Sequence, residues 1–364
     1  MEVPVLRPLL PNADSVMPYL RSIDQVRIYT NGGPLLKLLE SRYADRFGVE
    51  PEQVIAVANA TLALEGAISV LPPKKWIVPN FTFAATGLAV LNAGKELVLS
   101  DVSEMTWELD IGNILEPKQD HTRLGLMPVM PFGAPVSFEK WKGFPYIVFD
   151  AAASLGTSKS LENMEPGWIV VHSLHATKIL GAGEGAIVIT GSKDISQKIR
   201  QWLNFGFNDF RDAEIVGTNA KLSEFHAAYA LSSLDSEFDE FSDWQRVLHD
   251  IQFNSKDLRM NIGVPKFEGI RPYWIVQLPT EIKRDQLASE LRQHGIGTRV
   301  WWGRALSEQK AFYKSSKIGT LGVSQSLAST HLGLPCFRDL STDEIIRISR
   351  LLKDFEDRSM DGDL

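Results

Sequence analysis

A lysine with unusual neighbours is the first candidate for chemistry. Lys178 closes the segment 173–178 (Ser-Leu-His-Ala-Thr-Lys), which follows the apolar run 168–171 and precedes a glycine-rich turn at 181–185. An amine becomes a covalent catalyst only when burial or nearby positive charge lowers its pKa enough to free the lone pair. The end of a buried strand provides such a setting, so the position favours a Schiff base. Without its neighbours, the same lysine would be expected to begin a surface loop.

A carboxylate follows a second apolar run. Asp150 comes directly after residues 146–149 (Tyr-Ile-Val-Phe), and three alanines follow it. A short apolar run of this kind predicts a strand buried on both faces, and catalytic groups of open α/β sheets lie at the carboxyl ends of such strands. A buried carboxylate needs a cationic partner, and the protonated pyridine nitrogen of pyridoxal 5'-phosphate (PLP) would serve. The alternative is that Asp150 caps the following helix.

The elements that must position these residues alternate along the chain. Predicted strands, from short apolar runs, are 54–57, 76–78, 97–99, 126–129, 146–149, 168–171, 186–190, 273–278 and 297–301. Predicted helices, from apolar residues at helical spacing, are 35–47, 59–71, 222–234, 284–294 and 342–355. Helix-length stretches between strands indicate an α/β fold with a mainly parallel sheet. The acidic segment 235–243 suggests a boundary between a large domain, residues 1–235, and a small C-terminal domain, residues 236–364.

Six ordered blocks of sequence resemble one known family. They are 59–64 (NATLAL), 79–83 (PNFTF), 150–152 (DAA), 173–178 (SLHATK), 183–185 (GEG) and 217–221 (GTNAK). In order and spacing they resemble the PLP-dependent sugar aminotransferases of the DegT/StrS family, and the similarity extends over nearly the whole chain. The resemblance implies a fold-type I aminotransferase: a large domain with a mainly parallel, seven-stranded-type mixed sheet flanked by helices, plus a smaller α+β C-terminal domain.

The resemblance implies catalytic roles for two residues and ring contacts for two more. Lys178 matches the lysine that binds PLP covalently and later moves the proton between the cofactor carbon and the sugar carbon. Asp150 matches the aspartate beneath the pyridine nitrogen, whose protonation makes the ring an electron sink. Phe83 occupies the position of the aromatic residue stacked on one face of the ring, and Ala152 that of the small residue on the other face.

The resemblance also implies a phosphate site and a dimer. Ala60 and Thr61 begin a helix after an apolar strand, so their backbone N–H groups and the helix dipole suit a phosphate. Ser173 would add a hydroxyl. Asn219 matches an asparagine that reaches the phosphate of the neighbouring subunit, so we expect a homodimer with shared active sites.

Departures from the family pattern are few. Ala60 replaces a glycine in the phosphate turn, and Ala153 stands where many members carry a glutamine that binds the ring hydroxyl. Family members that dehydrate their substrate replace the lysine by histidine. Lys178 is retained, which favours transamination.

The function implied is amino transfer from L-glutamate to a nucleotide-linked keto-deoxysugar, with dTDP-4-keto-6-deoxyglucose as the specific expectation. The product would be an amino sugar for a surface glycan, such as an O-antigen, or for a glycosylated metabolite. The alternatives are a 3-keto sugar or a keto-cyclitol as substrate, or a non-catalytic regulatory protein with this fold. Retention of Lys178 and Asp150 argues against the last.

Composition excludes several other classes. A net charge of −7 over 364 residues disfavours nucleic acid as a partner. The single cysteine, Cys336, and a beginning of the chain without a signal-peptide pattern predict a cytoplasmic location. No apolar run reaches the ~18 residues needed to cross a bilayer.

Two further groups of residues were considered as binding sites. His172 and His175 lack a third ligand nearby, so no metal site is expected. Trp301, Trp302 and Arg304 could contact a nucleotide, or the tryptophans could belong to the core.

Overall fold

A mixed β-sheet lies at the centre of the molecule. The structure is a computed structural model that describes residues 2–114, 123–157, 160–262 and 269–360. Numbered along these residues, the strands are β1 (Val54–Val57), β2 (Lys75–Pro79), β3 (Glu96–Ser100), β4 (Leu124–Leu126), β5 (Ile147–Asp150), β6 (Trp168–Ser173), β7 (Ala186–Thr190), β8 (Asn261–Ile262), β9 (Trp274–Gln277), β10 (Ser316–Ile318) and β11 (His331–Leu334). Within the described residues, eight of them form the central sheet in the order β1-β7-β6-β5-β4-β2-β3-β10.

The strand directions bring several carboxyl ends to one edge of this sheet. Strands β6, β5, β4, β2, β3 and β10 run parallel, whereas β7 is antiparallel to both β6 and β1. Asp150 pairs with Val171 near the end of β6, and Ser173 pairs with Ala186 at the start of β7. Ala186 in turn pairs with Val57, the last residue of β1. The segments that follow β1, β5 and β6 therefore begin at the same edge.

Helices cover both faces of the central sheet. Those of the described residues are α1 (Ala13–Val26), α2 (Pro34–Phe47), α3 (Ala60–Val70), α4 (Ala84–Asn92), α5 (Lys193–Trp202), α6 (Glu224–Asp235), α7 (Glu237–Asn254), α8 (Glu281–Gln293), α9 (Gly322–Thr330) and α10 (Thr342–Met360). Alternate residues of β1 enter different apolar clusters: Val54 and Ala56 pack with α2 and α6, and Ile55 and Val57 pack with α3 and α5. This two-sided burial is why the parallel strands are continuous apolar runs rather than alternating ones.

A second, antiparallel sheet has the order β11-β9-β8 in the described residues. The strand predicted at 273–278 is confirmed as β9. The prediction of a strand at 297–301 is wrong. That region forms one isolated bridge, from Arg299 to Gly333, and the preceding residue Ile296 forms another with Val3. Gly295 and Gly303 have positive φ values of 70° and 81° on either side of it, which turns the chain away from an extended ladder.

Two further differences concern the central sheet. The strand predicted at 126–129 is observed as β4, which ends at Leu126, and beyond it only Val129 bridges to Asp150. Pro128 has no N–H to donate to a ladder, which accounts for the early end. The central sheet has eight strands instead of the expected seven. The additional strand is β10, which pairs in parallel with β3. This strand comes from the predicted small domain, so the division at residue 235 stays a prediction.

Within the described chain, no helix combines the length and the apolar character that crossing a bilayer requires.

Candidate active site

A cavity of about 630 Å³ opens at the sheet edge where β1, β5 and β6 end. Its walls contain every residue expected to bind the cofactor except Asn219, namely Ala60, Thr61, Phe83, Asp150, Ala152, Ser173 and Lys178. The first three come from the segments after β1 and β2, and the others from the segments that end or follow β5 and β6. The structure thus brings together residues that lie more than a hundred positions apart in the sequence.

Asp150 is a buried carboxylate at the cavity wall. Its residue is 7% exposed, Thr86 donates a hydrogen bond from Oγ1 to Oδ2 at 2.8 Å, and the Ala152 N–H lies 3.3 Å from Oδ1. Burial raises the pKa of Asp150, while both hydrogen bonds and the positive charge of Lys178 act against this rise. In the part of the chain that the structure describes, no cationic side chain forms an ion pair with Asp150. A cationic ring nitrogen in the cavity would therefore fit this carboxylate.

Lys178 lies in the turn between β6 and β7, half-buried at the cavity wall. Its backbone N–H bonds to the His175 carbonyl, and the turn closes through Gly183, whose φ of +90° favours glycine. The Lys178 Nζ donates a hydrogen bond of 2.8 Å to the hydroxyl of Tyr273. Both Lys178 and Asp150 face the same cavity, as the sequence predicts.

The amino end of α3 provides donors for an anion. Asn59 caps this helix by accepting a hydrogen bond from Leu62 N–H at 3.0 Å. Among the described residues, the N–H groups of Ala60 and Thr61 donate to no protein acceptor. Free N–H groups and the helix dipole at this end favour a phosphate. The buried Ser173 also lines the cavity, and its hydroxyl accepts from His175 N–H at 3.2 Å.

Phe83 and Ala152 supply apolar surface to the same cavity. Phe83 immediately precedes α4 and is 59% exposed. An aromatic ring exposed at a cavity wall is suited to stacking on a flat ligand. Together with Asp150, Lys178 and the end of α3, these residues fit a pyridine ring that carries a phosphate.

Asn219 lies elsewhere. It is exposed, does not line this cavity, and forms an isolated bridge with Asn204. Within one chain the structure therefore does not bring Asn219 to the other predicted residues. The expectation that it reaches a neighbouring subunit stays a prediction.

Two site residues were missed by sequence analysis. Thr86 bonds to Asp150, and its Oγ1 also lies 2.8 Å from Oγ1 of Thr82. Thr82 lies before α4 and Thr86 within it, so helical spacing gave no signal for this pair. Tyr273, the partner of Lys178, immediately precedes β9 and gave no signal either.

Other residues considered in the sequence take different places. His172 is buried, its Nδ1 lies 3.0 Å from the Ala151 carbonyl, and burial lowers its pKa to about 4. Within the described residues, no group of three or more histidine, cysteine or acidic side chains could hold a metal ion. Trp301 and Trp302 do line the cavity, whereas Arg304 does not. Trp302 also stacks on Phe132 with ring centres 4.5 Å apart.

Comparisons with known proteins find relatives that match most of the chain. The dTDP-4-amino-4,6-dideoxy-D-glucose transaminase of Shigella dysenteriae is 27% identical over 359 residues, which cover 94% of this chain and 96% of the relative. The UDP-2-acetamido-2-deoxy-3-oxo-D-glucuronate aminotransferase of Pseudomonas aeruginosa is 28% identical over 329 residues, or 86% and 88% of the two chains.

A solved structure with the same fold is that of a candidate PLP-dependent aminotransferase from Bacillus cereus ATCC 10987. It superposes with a TM-score of 0.87 at 25% identity, covering 97% of this chain and all of the other. The model of the DegT/DnrJ/EryC1/StrS aminotransferase family matches residues 12–353. The chain therefore belongs to the DegT/DnrJ/EryC1/StrS aminotransferase family.

Proposed function

We propose that this aminotransferase moves an amino group from L-glutamate to dTDP-4-keto-6-deoxyglucose, a nucleotide-linked keto-deoxysugar. Family membership makes the chain an aminotransferase, and PLP is its cofactor. The observation that carries the proposal is the cavity in which Lys178, the buried Asp150 and the free N–H groups of α3 meet. The choice of sugar is supported by the name of the Shigella relative, which specifies a dTDP-linked 4-amino sugar.

Four residues of the cavity have separate proposed roles toward the cofactor. When bound, PLP supplies an electron sink that stabilises negative charge on the reacting carbon. Lys178 holds the cofactor covalently at rest and, once released, takes up and delivers the proton at Nζ. Asp150 keeps the pyridine nitrogen protonated through its negative charge. Phe83 and Ala152, which line the cavity, would contact the faces of the ring.

The phosphate of the cofactor is assigned to the amino end of α3. The N–H groups of Ala60 and Thr61 and the hydroxyl of Ser173 are the proposed donors. Asn219 of a second subunit would complete this site. Its exposure on the free chain leaves it available for that contact.

The proposal also requires a site for the nucleotide of the substrate. Arg299, Trp301 and Trp302 support such a site. All three line the cavity, and the guanidinium carbon of Arg299 lies 4.9 Å from the ring centre of Trp301. In the described residues no carboxylate forms an ion pair with Arg299. An exposed guanidinium beside aromatic surface is suited to a diphosphate and a base.

The nucleotide is expected to contribute remote binding energy. A keto-deoxysugar has few apolar atoms, so its carbonyl is oriented mainly through the group attached to it. The test is a single-turnover assay of the aminated enzyme against dTDP-, UDP- and GDP-linked 4-keto-6-deoxyhexoses, their 3-keto isomers and the free sugars. We expect the highest kcat/KM with the dTDP-linked 4-keto sugar and a steep loss without the nucleotide. Equal rates with free and linked sugars would refute the proposal.

A second candidate is a 3-keto sugar linked to UDP. It is favoured by the Pseudomonas relative, whose name specifies a 3-oxo substrate at similar identity. Turnover of only the 3-keto isomers would keep the reaction class and move the amination to carbon 3. A keto-cyclitol would be indicated if no nucleotide raised the melting temperature of the protein.

A further inference from the structure

The hydroxyl of Tyr273 lies against the amine of Lys178. The Nζ donates to the phenol oxygen at 2.8 Å and lies 5.6 Å from the centre of the ring. Lys178 belongs to the turn between β6 and β7, whereas Tyr273 leads into β9 of the second sheet. A single hydrogen bond thus joins the proposed reactive lysine to a residue ninety-five positions later in the chain.

The tyrosine ring is held by its surroundings. Phe132 packs edge-on to it with ring centres 5.3 Å apart, and Trp301 does so at 5.8 Å. Phe132 is itself only 1% exposed and stacked on Trp302. Edge-to-face packing of this kind fixes the orientation of an aromatic ring, so the hydroxyl is presented at a defined point.

A phenol is well suited to hold an amine that changes its protonation state. Among the described residues, Tyr273 is the hydrogen-bond partner of the Lys178 amine, and no carboxylate forms an ion pair with it. A carboxylate would accept from an ammonium group but could not donate to a neutral amine. A phenol hydroxyl can accept from N–H and can also donate to a nitrogen lone pair. The contact therefore survives in both states.

We propose that Tyr273 is a positioning residue for Lys178. This inference rests on the proposed role of Lys178. While the lysine is not bound to the cofactor, the tyrosine hydroxyl keeps Nζ at the cavity wall. From there Nζ takes up a proton from one carbon and releases it to another, and later re-forms its covalent bond. Tyr273 keeps its own proton throughout.

The first test measures covalent capture of the cofactor, independently of turnover. Apo-protein of full length is mixed with PLP, bond formation is followed by absorbance, and the bond is trapped with borohydride. Tyr273→Phe retains the ring and removes only the hydroxyl. We expect capture at Lys178 to slow by up to roughly 100-fold, the loss that a misplacement of about 1 Å can produce. The matched control is Tyr313→Phe, because Tyr313 is 61% exposed and does not line the cavity.

The second test separates proton transfer from binding. In a single turnover of the PLP-loaded enzyme with L-glutamate, Tyr273→Phe should lower the maximal rate and leave the half-saturating glutamate concentration unchanged. Because proton transfer then limits the rate more strongly, glutamate deuterated at the α carbon should give a larger isotope effect than in the unaltered protein.

The outcomes are distinct. Capture and turnover within about twofold of the unaltered protein would overturn the role of Tyr273, as would weaker PLP binding with an unchanged isotope effect. A borohydride adduct on another lysine would instead refute the assignment of Lys178. If the phenylalanine variant does not fold, Tyr273→His supplies a group that can also accept and donate, and it should capture PLP at a rate between those of the unaltered protein and Tyr273→Ala. Equal rates for the histidine and alanine variants would then overturn the proposal.

Discussion

The hydroxyl of Thr86 donates a hydrogen bond of 2.8 Å to the Asp150 carboxylate, and both residues are buried. This bond favours the charged form of Asp150 against the effect of burial, which raises its pKa. Thr86→Val keeps the shape and removes the donor. We expect a loss of roughly 1.5–3 kcal/mol in the free energy of unfolding of the apo-protein, the range for bonds to charged groups.

The same variant should lose activity, because a carboxylate that is protonated more readily holds the pyridine nitrogen less firmly. Urea unfolding and kcat are the measurements. Thr82→Val, which removes the neighbouring hydroxyl but not the bond to Asp150, is the matched control and should have the smaller effect. Equal effects of the two variants would contradict a specific role for Thr86.

Lys178 should carry the cofactor. We expect the purified protein to be yellow, and borohydride reduction to fix PLP at Lys178, because this amine lies at the cavity wall beside the turn closed by Gly183. Peptide mapping by mass spectrometry checks the site. Lys178→Ala should abolish turnover while PLP still binds through its phosphate. An adduct on a different lysine would disprove the assignment.

Asp150→Asn should fold and bind PLP but lose most of its activity. The amide has nearly the same shape as the carboxylate, so the substitution tests the charge that keeps the pyridine nitrogen protonated. Steady-state kcat, with PLP content measured by absorbance, gives the comparison. Near-normal activity would rule out the electron-sink role.

Asn219 should act across a subunit interface. Mixed dimers of Lys178→Ala and Asn219→Ala protomers would, in a shared site, contain one site with both defects and one with neither. We expect about half the activity of the unaltered dimer to return in each mixed dimer. If none returns, Asn219 serves the site of its own subunit.

His172 should make the protein sensitive to acid. Burial lowers its folded-state pKa to about 4, below the value of about 6.5 for the unfolded chain. Between these values the unfolded chain binds more protons, so the free energy of unfolding decreases as pH falls from about 6.5 towards 4. Above pH 6.5, His172 is neutral in both the folded and the unfolded chain, so this loss of stability does not occur.

Urea unfolding across this pH range gives the measurement. His172→Gln should reduce the slope of stability against pH, and His249→Gln should not, because the His249 side chain is 76% exposed. Part of the slope should remain in the first variant, since burial also lowers the pKa of His331 to about 4. An unchanged slope in His172→Gln would contradict this assignment.

Much of the fold could be predicted because the central strands are apolar on both faces. β5, β6 and β7 are continuous runs of buried residues; Asp150 ends β5, and Lys178 lies in the turn after β6. β10 was missed for the opposite reason: Ser316-Lys317-Ile318 is short, largely polar and exposed except at its end. Such a segment forms a strand only because an existing sheet edge pairs with it.

The contacts to Tyr273 and Thr86 were beyond sequence analysis for a related reason. Asp150 and Lys178 were found because local sequence places each at the end of a buried strand. Tyr273 contacts Lys178 only because the second sheet packs against the first. The two residues are ninety-five positions apart, so their spacing in the sequence does not predict the contact.

β10 also closes what would otherwise be an open edge. Its pairing with β3 satisfies backbone groups along residues 98–100, and the outermost position is then occupied by a short strand with a lysine at its centre. Unpaired, apolar β3 would be a template for pairing with other chains, whereas a short charged strand discourages such association. A fragment ending at residue 235 would lack this protection. We therefore expect this fragment to aggregate. The C-terminal part of the chain would then protect the protein against aggregation as well as contribute residues to the cavity.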